Sequence, residues 1–437
     1  MEIFQLSSQM IGDEEMDERI QELVNLTKMK FGLDSYSLQT YEIYRKVNFF
    51  NDTVYTLSME WFPNHETVNK DGSNPEGAAV IEIDIHTHKF TSVIFVMGKT
   101  YAQNGVSFAH FTKKDIINWI EQETGLTYGK QFNLRKEVEG EFHFMECIDG
   151  VAVSPSGYIE LHFNKEGKLT FFSIHGQFPS KQMVREEEYS LTFEKIEHLA
   201  NEQLKLIEFP LFEQKRLLPV FAVEEIYVKN DQTSTIPFEV FADANSFVKI
   251  DKPIYWNEPL KQTFNQKELT WNEEVSVEQA YAFEQSPDSF PISKEEEETC
   301  IIAVTDFLRQ AYPNDTGIWI LKTLHREKGY IHAILRTNKQ DNRVFQRKLM
   351  LIIDAKTLQV MNDMDNKSML EIFDEFQAYE KIPIKKEEAF EKIKDLFELK
   401  PIYVYDFSQK QYVLCVKIDC KYGVNALTGK VIALADL

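Results

Sequence analysis

Two histidines one residue apart, His86 and His88, form the simplest chelating pair in the chain. On a strand, side chains at i and i+2 share a face, so both imidazoles point the same way, as a transition-metal site requires. Asp84 is the nearest third ligand. The pair falls within a turn phrase, however, and two ligands rarely make a site alone. No metal and no cofactor is therefore expected. His65-Glu66 lacks the second histidine of H-E-x-x-H because Asn69 stands in that place. Ser154-Pro155-Ser156-Gly157 is not a G-x-S-x-G nucleophile elbow, and neither a P-loop nor G-x-G-x-x-G occurs. The carboxylates of Glu137, Glu139 and Glu141, or of Glu186, Glu187 and Glu188, would serve as acid and base only if two converged in a cleft. Charged strand faces and linkers give the same pattern, so no catalytic residue is assigned. Trp61, Phe62, Phe171, Phe172 and Trp319 have two uses open to them, lining a peptide groove or packing a core.

The elements that position these residues are announced by a recurring turn. It reads Asp84-Ile85-His86-Thr87, Asp243-Ala244-Asn245-Ser246, Asp354-Ala355-Lys356-Thr357 and Asn425-Ala426-Leu427-Thr428-Gly429-Lys430. An Asx followed three residues later by Thr or Ser suits a tight turn, because its short side chain bonds the nearby backbone in place of the missing ladder. Asp84 and Thr87, Asp243 and Ser246, Asp354 and Thr357, and Asn425 with Thr428 and Gly429 are thus read as scaffold. Around these turns, an amphipathic helix followed by antiparallel strands recurs. The helices open near Glu15, Thr112, Phe193, Ser293 and Glu387, the third running to about Ile207 and the fifth to Leu399. The resulting divisions are residues 1–100, 101–185, 186–256, an acidic and polar connector at 257–292, then 293–380 and 381–437. The fold class is α+β.

Composition narrows the function classes. With 437 residues, 43% hydrophobic, and 33 Phe and 18 Tyr, the chain can fill several cores. A formal charge of −22 opposes binding to nucleic acid or an anionic membrane. Met1 to Leu6 carries no basic and apolar secretory pattern, and the longest apolar runs are far short of a membrane span. Cys147, Cys300, Cys415 and Cys420 show no C-x-x-C spacing. A soluble, cytoplasmic protein without membrane insertion is expected, and its oligomeric state is left open.

The segment from Tyr412 to Lys417, with Tyr422-Gly423-Val424-Asn425-Ala426-Leu427-Thr428-Gly429-Lys430-Val431-Ile432, resembles the end of a PepSY-like domain, in particular the YcdB/YcdC repeated-domain family of spore-forming bacteria. Ile85 replaces the family's Ala in the first copy, and Gly follows Thr only in the last. The resemblance implies tandem cystatin-like units, each a helix packed on a curved antiparallel sheet. It brings no catalytic residues. The function it points to is a noncatalytic protein- or peptide-binding module, inhibitory or scaffolding, holding an unidentified polypeptide. The alternative is a hydrolase or metal-dependent enzyme with a site assembled from distant residues.

Overall fold

Some helices begin here where a short polar side chain, as at Asp17, Ser276 and Ser293, satisfies one of the first free N–H groups. Asp17 accepts from Arg19 N to open α1 (Glu18–Phe31), and Gly32 closes it in the left-handed region at φ 65°. Asp115 Oδ2 accepts from Thr112 N and Thr112 Oγ1 at 2.8 and 2.7 Å at the start of α2 (Lys113–Thr124). In a computed structural model, residues 9–10, 16–69, 72–108, 112–231, 234–237, 247–271, 274–338 and 342–437 are described. They form an α+β protein with mostly antiparallel sheets and seven α-helices among the described residues. No helix among them is long and apolar enough to cross a membrane. The chain divides into two compact bodies.

The first body contains β1 (Gln9–Met10), β2 (Tyr36–Val47), β3 (Thr53–Pro63), β4 (Ala79–Asp84) and β5 (Phe90–Phe95), then β6 (Phe132–Val138), β7 (Glu141–Ile148), β8 (Val151–Ser154), β9 (Tyr158–Phe163) and β10 (Leu169–His175). They join in the order β1-β2-β3-β4-β5-β10-β9-β7, with β6 and β8 also paired to β7. Strand alternation gives the sheet two unlike faces. One register row reads Phe142, Leu161, Phe172, Val93, Ile81, Met59, Tyr41 and packs under α1 and α2. The adjacent row reads His143, Glu160, Ser173, Ser92, Glu82, Ser58, Glu42 on the opposite face. Residues 274–286, from the stretch read as a connector, also belong to this body and carry α4 (Val277–Tyr281), capped by Ser276 and Gln279.

The second body holds α3 (Phe193–Gln203), β11 (Leu204–Leu211), β12 (Arg216–Val223), β13 (Ile226–Lys229), β14 (Thr235–Pro237) and β15 (Phe247–Pro253). It continues through α5 (Lys294–Ala311), β16 (Trp319–Glu327), β17 (Tyr330–Thr337), β18 (Lys348–Asp354), β19 (Val360–Asp365), the one-turn α6 (Lys367–Leu370) and α7 (Lys386–Ile393). Last come β20 (Lys400–Asp406), β21 (Gln411–Ile418, of which residues 413–418 belong to this body), β22 (Tyr422–Asn425) and β23 (Val431–Ala433). Strands β15 to β19 make a meander whose apolar face packs on Cys300, Val304, Phe307 and Leu308 of α5. The stretches 186–256 and 381–437 interleave. The hairpin β11–β12 joins β22–β23, while β13–β14 joins β20–β21. Helices α3 and α7 share the core between these strands.

Two helix ends differ from the sequence reading. The helix read to about Ile207 stops at Gln203, because Leu204 to Leu211 pairs residue for residue with β12, and that ladder overrides a weak helical propensity. The helix read to Leu399 stops at Ile393, and Lys400, which precedes Pro401, already starts a strand.

Three of the four Asx phrases lie among the described residues, while Asp243 and Ser246 fall outside them. Asp84 Oδ1 accepts from His86 N, Thr87 N and Thr87 Oγ1 at 3.0, 2.7 and 2.8 Å between β4 and β5. Asp354 Oδ1 accepts from Lys356 N, Thr357 N and Thr357 Oγ1 at 3.2, 2.7 and 2.8 Å between β18 and β19. Asn425 Oδ1 accepts from Leu427 N and Thr428 N at 2.9 and 3.1 Å between β22 and β23. The residue after each Thr is left-handed, with φ 55° at His88, 54° at Leu358 and 74° at Gly429. Only the last is the residue for which that conformation costs nothing.

Candidate functional site

Of the histidines first singled out, His86 has structural work for its side chain. His86 Nε2 lies 2.9 Å from the Ala280 carbonyl, and its ring stacks on Phe283 at 3.9 Å. Asp84 Oδ1 is committed to the turn. Neither His86, His88 nor Asp84 joins a converging set of ligand atoms among the described residues. Trp61, Phe62, Phe172 and Trp319 are core residues at 4% exposure or less, whereas Phe171 stands on the polar sheet face. Glu137 pairs with Lys113 at 2.5 Å, and Glu187 with Arg185 at 2.7 Å. Glu139, Glu186 and Glu188 are exposed.

Convergent chemistry appears at residues the sequence reading did not assign. On β7 and β9 the pattern Glu-x-His occurs twice, as Glu141-Phe142-His143 and Glu160-Leu161-His162. The strands are antiparallel, so Glu141 faces His162 and His143 faces Glu160 in register. The four side chains form a checkerboard on the polar face. Glu160 Oε1 is 2.7 Å from His162 Nε2 and 3.6 Å from His143 Nδ1, while Glu141 Oε2 is 4.0 Å from His143 Nε2. Phe171, opposite His162 on β10, lies against that imidazole at 4.9 Å. The signal was present as two i, i+2 repeats on adjacent strands, but it has meaning only once the register is known.

A second set occupies the β16–β17 hairpin. His325 and His332 face each other with ring centroids 5.1 Å apart, and Glu327 Oε2 lies 3.4 Å from His332 Nδ1. His332 is buried and its Nε2 has no hydrogen-bond partner. Burial, with a smaller contribution from Lys328, lowers its pKa to about 4, so the ring is neutral at neutral pH.

Glu146 is the most perturbed carboxyl of the first body. It lies between Phe144 and Ile148 on the apolar side of β7 and accepts from Gly157 N at 2.7 Å and Phe178 N at 2.8 Å. Burial pushes its pKa up to about 7, the N–H donors only partly offsetting it. A carboxyl whose folded value exceeds its unfolded one stabilises the fold fully below the unfolded value of about 4.3, and that contribution is lost as the pH rises through 7. Urea unfolding of the wild type is therefore expected to weaken by about 2 kcal/mol from this group between pH 5 and pH 8. Glu146→Gln removes that part of the slope; an unchanged slope in the variant would refute the assignment.

A cavity of about 110 Å³, lined by Phe31, Phe95, Ala102, Asn104 and Lys168, has room for only a few water molecules. The Lys168 ammonium bonds the Ala102 carbonyl at 2.9 Å.

No protein-family model matches the chain. No curated protein matches it either. Among solved structures, the Bacillus megaterium YpeB C-terminal domain aligns over 80% of this chain and 98% of its own length, at 9% identity and a TM-score of 0.23. The functional reading therefore rests on the chain's own residues.

Proposed function

We propose that the chain is a noncatalytic binding module built of cystatin-like units, and that it holds an extended polypeptide along the open edge of its first sheet. The unit reading is supported by element order. A helix followed by four main strands recurs as α1 with β2 to β5, α2 with β6, β7, β9 and β10, and α5 with β16 to β19, while the α3 and α7 stretches repeat the order but exchange strands, β11–β12 joining β22–β23 and β13–β14 joining β20–β21. On this reading the chain is PepSY-like, of the YcdB/YcdC type.

The observation that carries the binding reading is β6. Its residues Asn133 to Val138 pair only with β7 among the described residues, and Arg135, Lys136, Glu137 and Val138 are exposed. An edge strand offers unpaired backbone donors and acceptors, and an extended segment adds to it by ladder bonds, with alternate side chains supplying specificity. The net charge of −22 makes a basic or neutral polypeptide a better occupant than nucleic acid.

The test has two parts. Partners are recovered from an extract, and an extended peptide from one of them is added back under hydrogen exchange. Protection centred on Asn133 to Val138, together with competition by the peptide, is the expected result. Protection elsewhere, or failure to compete, would sink the edge-binding reading.

A further inference from the structure

We propose that Glu141, His143, Glu160 and His162 bind one borderline divalent cation of the zinc type on the polar face of the first sheet. The inference is independent of whether β6 takes a peptide.

The donor set fits that chemistry. Two imidazoles and two carboxylates match the four nitrogen and oxygen ligands that zinc accepts. With bonds of about 2.0 to 2.1 Å, tetrahedral ligand atoms lie roughly 3.4 Å apart. One ligand atom from each of Glu141, His143 and His162 lies within 4.8 Å of the others, while Glu160, 3.6 Å from His143 Nδ1 and 2.7 Å from His162 Nε2, stands outside that set and joins it only by turning its side chain. The 2.7 Å contact between Glu160 and His162 is a hydrogen bond whose proton the cation would replace. Adjacent strands fix all four Cα positions by backbone pairing, so side-chain rotation alone completes the convergence.

The same register row carries further carboxylates, three strands away and more. Glu160 continues in register through Ser173 and Ser92 to Glu82, and then through Ser58 to Glu42. The opposing cation is Lys136, in register with His143 on β6 and exposed. Phe171 restrains the His162 ring. The side chains are 24 to 45% exposed, which gives an ion a path from solvent and makes the site exchangeable. The hairpin set at His325, Glu327 and His332 is poorer by one carboxylate, and Lys328 lies close enough to disfavour charge there.

The experiment is zinc titration of the untagged full chain after chelator treatment, read by calorimetry and by metal content after dialysis. One zinc per chain is expected. In His143→Ala/His162→Ala the affinity should fall by roughly a hundredfold or more, beyond the 10- to 100-fold typical of losing an outer-shell partner. Circular dichroism and the urea midpoint should stay unchanged, since both histidines are partly exposed. Should that variant fail to fold, Glu160→Gln with cobalt(II) absorption of the wild type replaces it. A four-coordinate cobalt spectrum lost in Glu160→Gln supports the site. No zinc uptake by the wild type, full retention by the double variant, or equal competition by calcium would each overturn the proposal.

Discussion

Gly32→Ala is expected to destabilise the first body by about 3 kcal/mol or more, because two separate penalties add there. The residue ends α1 at φ 65°, ψ 41°, which costs any L side chain about 1 kcal/mol. A Cβ at this point would also sit 1.9 Å from the Gln103 carbonyl oxygen and 2.6 Å from Gly105 N. These are backbone atoms held by the Gln103 N to Gly32 O bond at 3.0 Å, so neither moves cheaply. Gly129→Ala is the control, since Gly129 has φ 80° and nothing within 4 Å of an added Cβ. Urea unfolding should show the control losing about 1 kcal/mol. Equal losses in the two variants would mean that the 103–105 segment yields and that the close approach is unimportant.

Asp365→Ala should cost the second body about 3 kcal/mol, the usual scale for orphaning a partly buried ion. Asp365 accepts from Arg347 Nη2 at 2.6 Å, Arg347 Nε at 3.2 Å, Tyr312 Oη at 2.5 Å and Lys367 N at 2.8 Å. The guanidinium in turn lies 5.1 Å from the ring centre of fully buried Trp319. Burial alone would raise the Asp365 carboxyl, but the bonds from Arg347 and Tyr312 prevail and hold it below the usual range. Because the folded value is the lower one, the stabilisation is complete above about pH 4 and is lost as the pH falls through the folded value. Wild-type protein should therefore lose stability in acid more steeply than Asp365→Ala. Arg347→Met in the Asp365→Ala background should recover part of the loss, as removing both charges leaves none orphaned. A double variant no better than the single one would argue that packing, and not charge, sets the cost.

Local chemistry made the caps and turns readable. Thr112 and Ser293, read as helix openings, are signals confined to a few residues, and Asp115 and Glu296 bond them there. The helix end near Gln203 was misread because the β11–β12 ladder decided it, and the one near Ile393 because the chain turns to strand ahead of Pro401. The site was less legible still. His143 and His162 lie 19 positions apart, and only the β7–β9 register makes them neighbours. Glu146 carries no sequence mark at all, since its burial comes from Gly157 and Gly176, whose missing side chains let two backbones close over it. The hairpin histidines are an ordinary strand pattern until burial leaves His332 Nε2 without a partner.

The interleaving of β11 to β14 with β20 to β23 sets a timetable for the nascent chain. Val220 and Phe221 pair with Asn425 and Val424, roughly 200 residues later. At ~5 to 20 residues per second, β12 leaves the ribosome some 10 to 40 s before its partner exists. During that interval the strand Leu217 to Val223, buried throughout in the finished protein, has one satisfied side, supplied by β11, and one bare ladder edge. Synthesis thus passes through a half-sheet whose edge is met at Leu217 by Gln377 and closed at Val220 and Phe221 only by the final strands, and a ribosome stalled before residue 422 would release a product with that edge still open.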